Sequence, residues 1–215
     1  MLFVATVVVA ALVAAAVAIA TGRAGASNGC VAGHAAADDR SELVTGAGPE
    51  TLVIGDSYSV GLGVKPAESW PTRLSGTVRV DGFSGSGFSA EASGCAGVDF
   101  ATRAETAVRD TTRLVVVQGG LNDFDQPAAE IEAGFYRLMR LIGDRPVLVV
   151  GPPDAPARSA EVPDIDELLA RLTKEYGAAY LRMRDHDLTY LPDALHLTVE
   201  GHRRFGDIVA GALAE

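Results

Sequence analysis

The sequence predicts an α/β fold, a three-layer α/β/α sandwich around a mostly five-stranded parallel sheet. Three observations predict it. Short runs such as TLVIG (51–55), RLVVVQGG (113–120) and RPVLVVG (145–151) are apolar without alternation, as strands covered on both faces are. Longer segments between them place apolar residues at helical spacing. This strand–helix alternation runs from about residue 50 to the C-terminus, which is the pattern of a parallel sheet with crossover helices.

Each element follows in order. TLVIG is the first strand, and ESWPTRLSG (68–76) reads as a helix entered near Pro66. TVRVDG (77–82) is the second strand, with a Gly/Ser-rich loop after it. DFATRAETAVRD (99–110) reads as a helix before the third strand at 113–120. PAAEIEAGFYRLMRLIG (127–143) carries Ile131, Phe135, Leu138 and Ile142 on one face and stops at a glycine. After the fourth strand, Pro152, Pro153, Pro156 and Pro163 mark an irregular loop. DIDELLARLTKEYG (164–177) is a further helix, AAYLRM (178–183) a weaker fifth strand, and VEGHRRFGDIVAGAL (199–213) the closing helix.

The N-terminal part reads differently. Residues 2–20 are apolar and uncharged, long enough for a bilayer span and similar to the apolar region of an export signal. Ala24-Gly25-Ala26 offers a small-x-small cleavage site. Residues 1–26 are therefore expected to be a signal peptide or membrane anchor, the segment that would contact a membrane. Residues 27–49 are small, polar and aperiodic and read as a flexible tether. Residues 50–215 form the expected domain, secreted or held at the outer face of the cell membrane. The two cysteines, Cys30 and Cys95, can form one disulfide in that setting, pinning the tether to the domain.

The net charge of −10 comes with no basic cluster, which excludes nucleic acid as an expected partner. The chemistry lies at the C-terminal ends of the strands, where parallel sheets gather their functional groups. Strand one ends in Gly55-Asp56-Ser57, strand two in GFSGSGF (82–88), and strand three in Gly119-Gly120-Leu121-Asn122-Asp123. Strand five leads to LPDALHLTVEGH (191–202). Together they supply a hydroxyl, free backbone N–H groups, a carboxamide and an Asp/His pair, the parts needed for nucleophilic acyl transfer. A serine needs a base such as His196, and the base needs a group such as Asp193 to fix its tautomer. The N–H of Ser57, the N–H of a glycine in the second block, and the Asn122 amide are candidate oxyanion donors.

Four blocks in this order, GDS (55–57), a Gly block (82–87), GxND (120–123) and DxxH (193–196), resemble the SGNH hydrolases, also called GDSL-type esterases and lipases. The resemblance spans about residues 51–213. It implies the flavodoxin-like SGNH fold, with Ser57 as nucleophile, His196 as base and Asp193 as acid. It places the oxyanion donors on Ser57, Asn122 and a glycine of the second block, Gly85 fitting the G-x-x-G form best and Gly87 standing as the fallback. The family's Asn before that glycine is absent here, with VRVDG in its place. The implied activity is hydrolysis of a small-molecule, glycan or lipid carboxylic ester, with no cofactor and no metal. Alternatives on the same site are a carbohydrate deacetylase, an acyltransferase, or a non-catalytic glycan- or lipid-binding module of the same fold.

Other motifs carry less. G-x-S-x-G is not present, since position 59 is Ser, and no dinucleotide or Walker-type glycine loop occurs. His34 and His186 lack metal-ligand spacing, and His202 reads as a solvated helix position. Asp56 suits holding the nucleophile turn, and Asp123 the Asn122 loop. Tyr58 can line a groove, and Trp70 reads as core.

Overall fold

The computed structural model describes residues 29–214, so the expected signal peptide or anchor at 1–26 lies outside the described residues. Among the described residues no helix is long and apolar enough to cross a membrane.

The strands are β1 (Glu50–Gly55), β2 (Thr77–Gly82), β3 (Thr112–Gln118), β4 (Val147–Val150) and β5 (Ala179–Leu181). They form one sheet of order β2-β1-β3-β4-β5, and every pairing is parallel. The helices are α1 (29–42), α2 (Ser57–Val60), α3 (Phe100–Ala107), α4 (Ala128–Ile142), α5 (Val162–Tyr176) and α6 (Val199–Ala212).

Side chains alternate across the sheet and are buried on both sides. Leu52, Ile54, Val115, Val117 and Val149 join the α4 stripe of Ile131, Phe135, Leu138 and Ile142 in one core. Val53, Val78, Val80, Val116 and Val150 meet Trp70, Phe205 and Val209 in the other. This explains why the strands read as unbroken apolar runs, since each face has its own layer.

Three expectations need correction. The segment at 68–76 is not one helix but follows two single 3₁₀ turns, Pro66–Glu68 and Trp70–Arg73. Pro66 and Pro71 supply no N–H for a longer ladder. Residues 29–42 are helical, where an aperiodic tether was expected. The face that α1 buries holds Cys30, Gly33, Ala37 and the fully buried Arg40 at helical spacing, so no large aliphatic stripe announces it. A disulfide joins Cys30 to Cys95, as the cysteine count allowed. Finally, β5 is only three residues long.

The sheet order reverses direction at β1, whose neighbours β2 and β3 lie on opposite sides. The crevice beyond the carboxyl ends of β1 and β3 is therefore the topological switch point, where open α/β sheets bind ligands.

Candidate active site

β1 ends at Gly55, and the chain turns at once into the one-turn helix α2. Asp56 caps it: its carboxylate accepts from Tyr58 N–H at 2.9 Å, as short acidic side chains do at helix starts. Asp56 is buried, and its Oδ1 also accepts from Gln118 Nε2 at 3.1 Å. Burial pushes its carboxyl up to about 6 against the pull of these bonds. Gln118 accepts in turn from Ser59 Oγ at 2.7 Å. The Ser57 turn is thus held from inside by a buried network that the sequence reading identified only in its Asp56 part. Gln118 was legible as the polar residue that ends an apolar strand.

Ser57 is 7 % exposed. The helix start leaves its N–H without an intrahelical acceptor. Two bonds gather the other proposed donors beside it. Asn122 Nδ2 donates to Ser86 O at 2.9 Å and approaches Asp56 Oδ2 at 3.5 Å. One amide therefore ties the residue before Ser57 to the residue after Gly85.

The structure separates the two glycine candidates. Ser86 N–H donates to Phe83 O at 3.1 Å, closing a turn with Gly85 at its third position and φ of +86°. That position of a type II turn requires positive φ and so favours glycine. A Cβ on Gly85 would meet nothing nearer than Ser93 Oγ at 3.9 Å. On Gly87 it would lie 2.5 Å and 2.7 Å from the Asp123 carboxylate oxygens. Gly87 is therefore spaced for packing against Asp123, while Gly85 has one open side.

Asp123 itself departs from expectation. Its carboxylate serves the Gly block, accepting from Ser89 N–H at 2.8 Å and Phe88 N–H at 3.1 Å. Burial pushes its carboxyl up to about 7. Arg103, missed in the sequence, joins the same loops: it donates to Gly55 O at 2.8 Å and Ser86 Oγ at 3.1 Å, and pairs with Asp81.

On the far side, Asp193 Oδ2 lies 2.7 Å from His196 Nδ1. Asp193 Oδ1 accepts from the N–H groups of Leu195 at 3.0 Å and His196 at 2.9 Å. These bonds, the His196 ring first, hold the Asp193 carboxyl down at about 2. It does not cap α6, whose N-cap is Thr198. The turn is tight, with Ala194 at φ 57°, the kind of backbone strain that clusters at functional sites.

Tyr58 joins the halves. Its hydroxyl donates to Leu195 O, and its ring centroid lies 6.4 Å from that of His196. The neighbours of this bonded pair are Ser57 and His196. Their own side chains are not hydrogen-bonded to one another among the described residues; the His196 nitrogen engaged by Asp193 is Nδ1. Such contacts are often loose before substrate binds. His202 is a correction: rather than solvated it is 1 % exposed, edge-on to Tyr58 at 6.2 Å. It shares a helical stripe with Phe205 and Val209, which the sequence did display. Trp70 is core, fully buried, not groove-lining. Among the described residues no group of three His, Cys, Asp or Glu side chains is placed to hold a metal.

The profile of the GDSL-like Lipase/Acylhydrolase family matches residues 53–204. No curated protein matches the chain. Solved structures resemble it over most of its length. A carbohydrate acetylesterase from Sinorhizobium meliloti is 19 % identical with a TM-score of 0.68, over 78 % of this chain and 99 % of that one. A carbohydrate acetylesterase family member from the same organism is 20 % identical with a TM-score of 0.63, over 77 % and 97 %. An aryl esterase from M. smegmatis is 16 % identical with a TM-score of 0.65, over 78 % and 99 %. The chain belongs to the GDSL-like lipase/acylhydrolase family and is a carboxylic ester hydrolase.

Proposed function

We propose that the chain is an exported serine esterase that works through a Ser57–His196–Asp193 relay and an acyl-enzyme. The observation that carries this reading is the Asp193–His196 pair at 2.7 Å, docked through the Tyr58–Leu195 bond against the turn that bears Ser57. His196 Nε2 takes the Ser57 proton as Oγ attacks the ester carbonyl carbon. Asp193, bonded to Nδ1, holds the ring and stabilises the imidazolium. Negative charge collecting on the carbonyl oxygen is met by Ser57 N–H, Gly85 N–H and the Asn122 Nδ2 hydrogen that Ser86 O does not take, which gives up its 3.5 Å approach to Asp56. The protonated His196 then gives its proton to the leaving alcohol. Water, with His196 again as base, releases the acid and restores the serine.

The substrate side is proposed as a short acyl ester, an acetylated carbohydrate among the esters it could take, in line with the carbohydrate acetylesterases it resembles. A cavity of about 290 Å³ follows Asn122 in the chain, lined by Phe124, Ile131, Ile165 and Leu168 together with Asp123, Gln126, Glu161 and Asp164. Export is supported by the apolar N-terminal run and by the Cys30–Cys95 disulfide, which persists in oxidising compartments.

The test is labelling with a serine-directed fluorophosphonate, read by intact mass and peptide mapping. One adduct on Ser57, absent from Ser57→Ala, is the expected result. Folded protein that takes no label would favour a non-catalytic binding module of the same fold.

A further inference from the structure

We propose that helix α1 is a clamp on two of the three loops that present the oxyanion donors, with Arg40 as a positioning residue for the Ser57 turn. The segment lies N-terminal to residues 53–204, the part matched by the family profile. The kinetic consequence rests on the serine-esterase reading; the clamp itself rests on geometry alone.

The first contact is on the nucleophile turn. α2 has four residues, too few to close its own C-terminal carbonyls. Arg40 Nε reaches in from α1 and donates to Ser59 O at 3.2 Å, while its Nη1 holds Leu43 O at 3.0 Å. The guanidinium is 1 % exposed and has no carboxylate partner among the described residues. A buried cation without a counter-charge is a costly way to fill space, since an apolar chain of like length would suffer no such desolvation. Its contribution is therefore sought in what it holds. Burial accordingly pulls the guanidinium down to about 10.

The second contact is on the Gly block. A Cβ on Gly33 would stand 2.9 Å from Phe83 Cζ, so the helix backbone lies directly against that ring. His34 meets the same ring edge-on at 5.0 Å. Phe83 O closes the turn that sets Gly85. One helix thus bears on two of the three donor-carrying loops.

The helix is also tied at each end. The disulfide joins Cys30, near its start, to Cys95 in the loop that follows the Gly block. Beyond its last turn, Thr45 pairs with Val78 of β2 in an antiparallel bridge. Cys30, Gly33, Ala37 and Arg40 fall on one face, so the restraints act together. Oxyanion donors stabilise charge only when fixed in place beforehand, and α1 supplies that fixation to elements too short to supply it themselves.

Arg40→Met, Arg40→Lys and a Cys30→Ser/Cys95→Ser variant test this, alongside wild type reduced with dithiothreitol. The readouts are kcat and KM on p-nitrophenyl acetate and amide hydrogen exchange at residues 56–62 and 83–86. Arg40→Met is expected to lower kcat by roughly tenfold to a hundredfold, the scale of a small misplacement at a site, with KM little changed. Exchange at 56–62 rises while β1 and β3 stay protected. Arg40→Lys recovers part of kcat, and loss of the disulfide raises exchange at 83–86. Unchanged exchange in both loops, or a lower Tm with kcat intact, overturns the clamp. If Arg40→Met does not fold, reduced wild type gives the same readouts without a substitution. Altered exchange in a protein whose wild type neither hydrolyses esters nor takes the phosphonate would uphold the clamp and defeat the esterase reading.

Discussion

The hydroxyl of Tyr58 donates to the carbonyl of Leu195, across 137 positions of sequence. Because Ser57 and His196 are the neighbours of these two residues, the bond sets the spacing between proposed nucleophile and base. Removing it loosens that spacing without touching either group. Tyr58→Phe is expected to lower kcat about tenfold, equivalent to about 1.4 kcal/mol of barrier, and to cost roughly 1–2 kcal/mol of stability as a lost buried hydrogen bond. Steady-state kinetics and a denaturant titration check both.

Asp193 is held ionised by the His196 ring and two backbone N–H groups, its carboxyl down at about 2. Asp193→Asn keeps the shape but offers an amide to Nδ1 and favours the wrong tautomer. A loss in kcat on the order of 10³–10⁴ is expected by analogy with other triads. Because the carboxyl titrates near 2, activity lost on acidification above pH about 3 does not belong to Asp193. Rate measurements on the variant across pH 4–9 check this: the rate falls at every pH.

The two glycines of the second block should separate by experiment. In Gly85→Ala the new methyl has room, but the residue must hold φ +86°. That strain costs roughly 1–2 kcal/mol, and any relaxation of the turn moves the proposed donor. In Gly87→Ala the methyl strikes a carboxylate fixed by two backbone N–H groups. Gly85→Ala is therefore expected to lose kcat beyond its modest fall in Tm. Gly87→Ala should lose mainly stability, read as the larger fall in Tm.

His202 is buried with neither ring nitrogen bonded among the described residues. Burial first, and the nearby His196 second, pull it down to about 4. A histidine whose folded value lies below its unfolded 6.5 contributes stability above pH 6.5 and loses it as pH falls toward 4. Over that interval wild type should lose roughly 3 kcal/mol relative to His202→Leu, at 1.36 kcal/mol per unit. Urea unfolding of both proteins at pH 7 and pH 4.5 gives the comparison. A difference independent of pH would refute this assignment.

The sequence displayed much of this arrangement. The sheet was legible because both faces of β1, β3 and β4 are buried and leave no polar alternation to confuse. Ser57, Asn122 and the Asp193–His196 pair stood out as candidates because they fall in the polar blocks that follow β1, β3 and β5. What escaped was tertiary. Arg40 is a surface-type residue by composition, and only the fold carries it to Ser59. Helix α1 escaped because glycine, alanine and arginine form its buried face, so hydrophobic periodicity gives no signal. Asp123 was assigned to the wrong loop because its partners at Phe88 and Ser89 lie 35 and 34 positions away. The helix expected at 68–76 failed on local chemistry that was visible, its closely spaced prolines.

The most direct measurement is the turnover of Ser57→Ala on p-nitrophenyl acetate, made on protein whose far-UV spectrum and Tm match wild type. With the nucleophile gone, kcat should fall by at least about 10³-fold, the residue of rate coming from oxyanion donors and binding alone. Turnover within a few-fold of wild type would contradict the account, because the ester bond would then be broken without the hydroxyl of the proposed nucleophile.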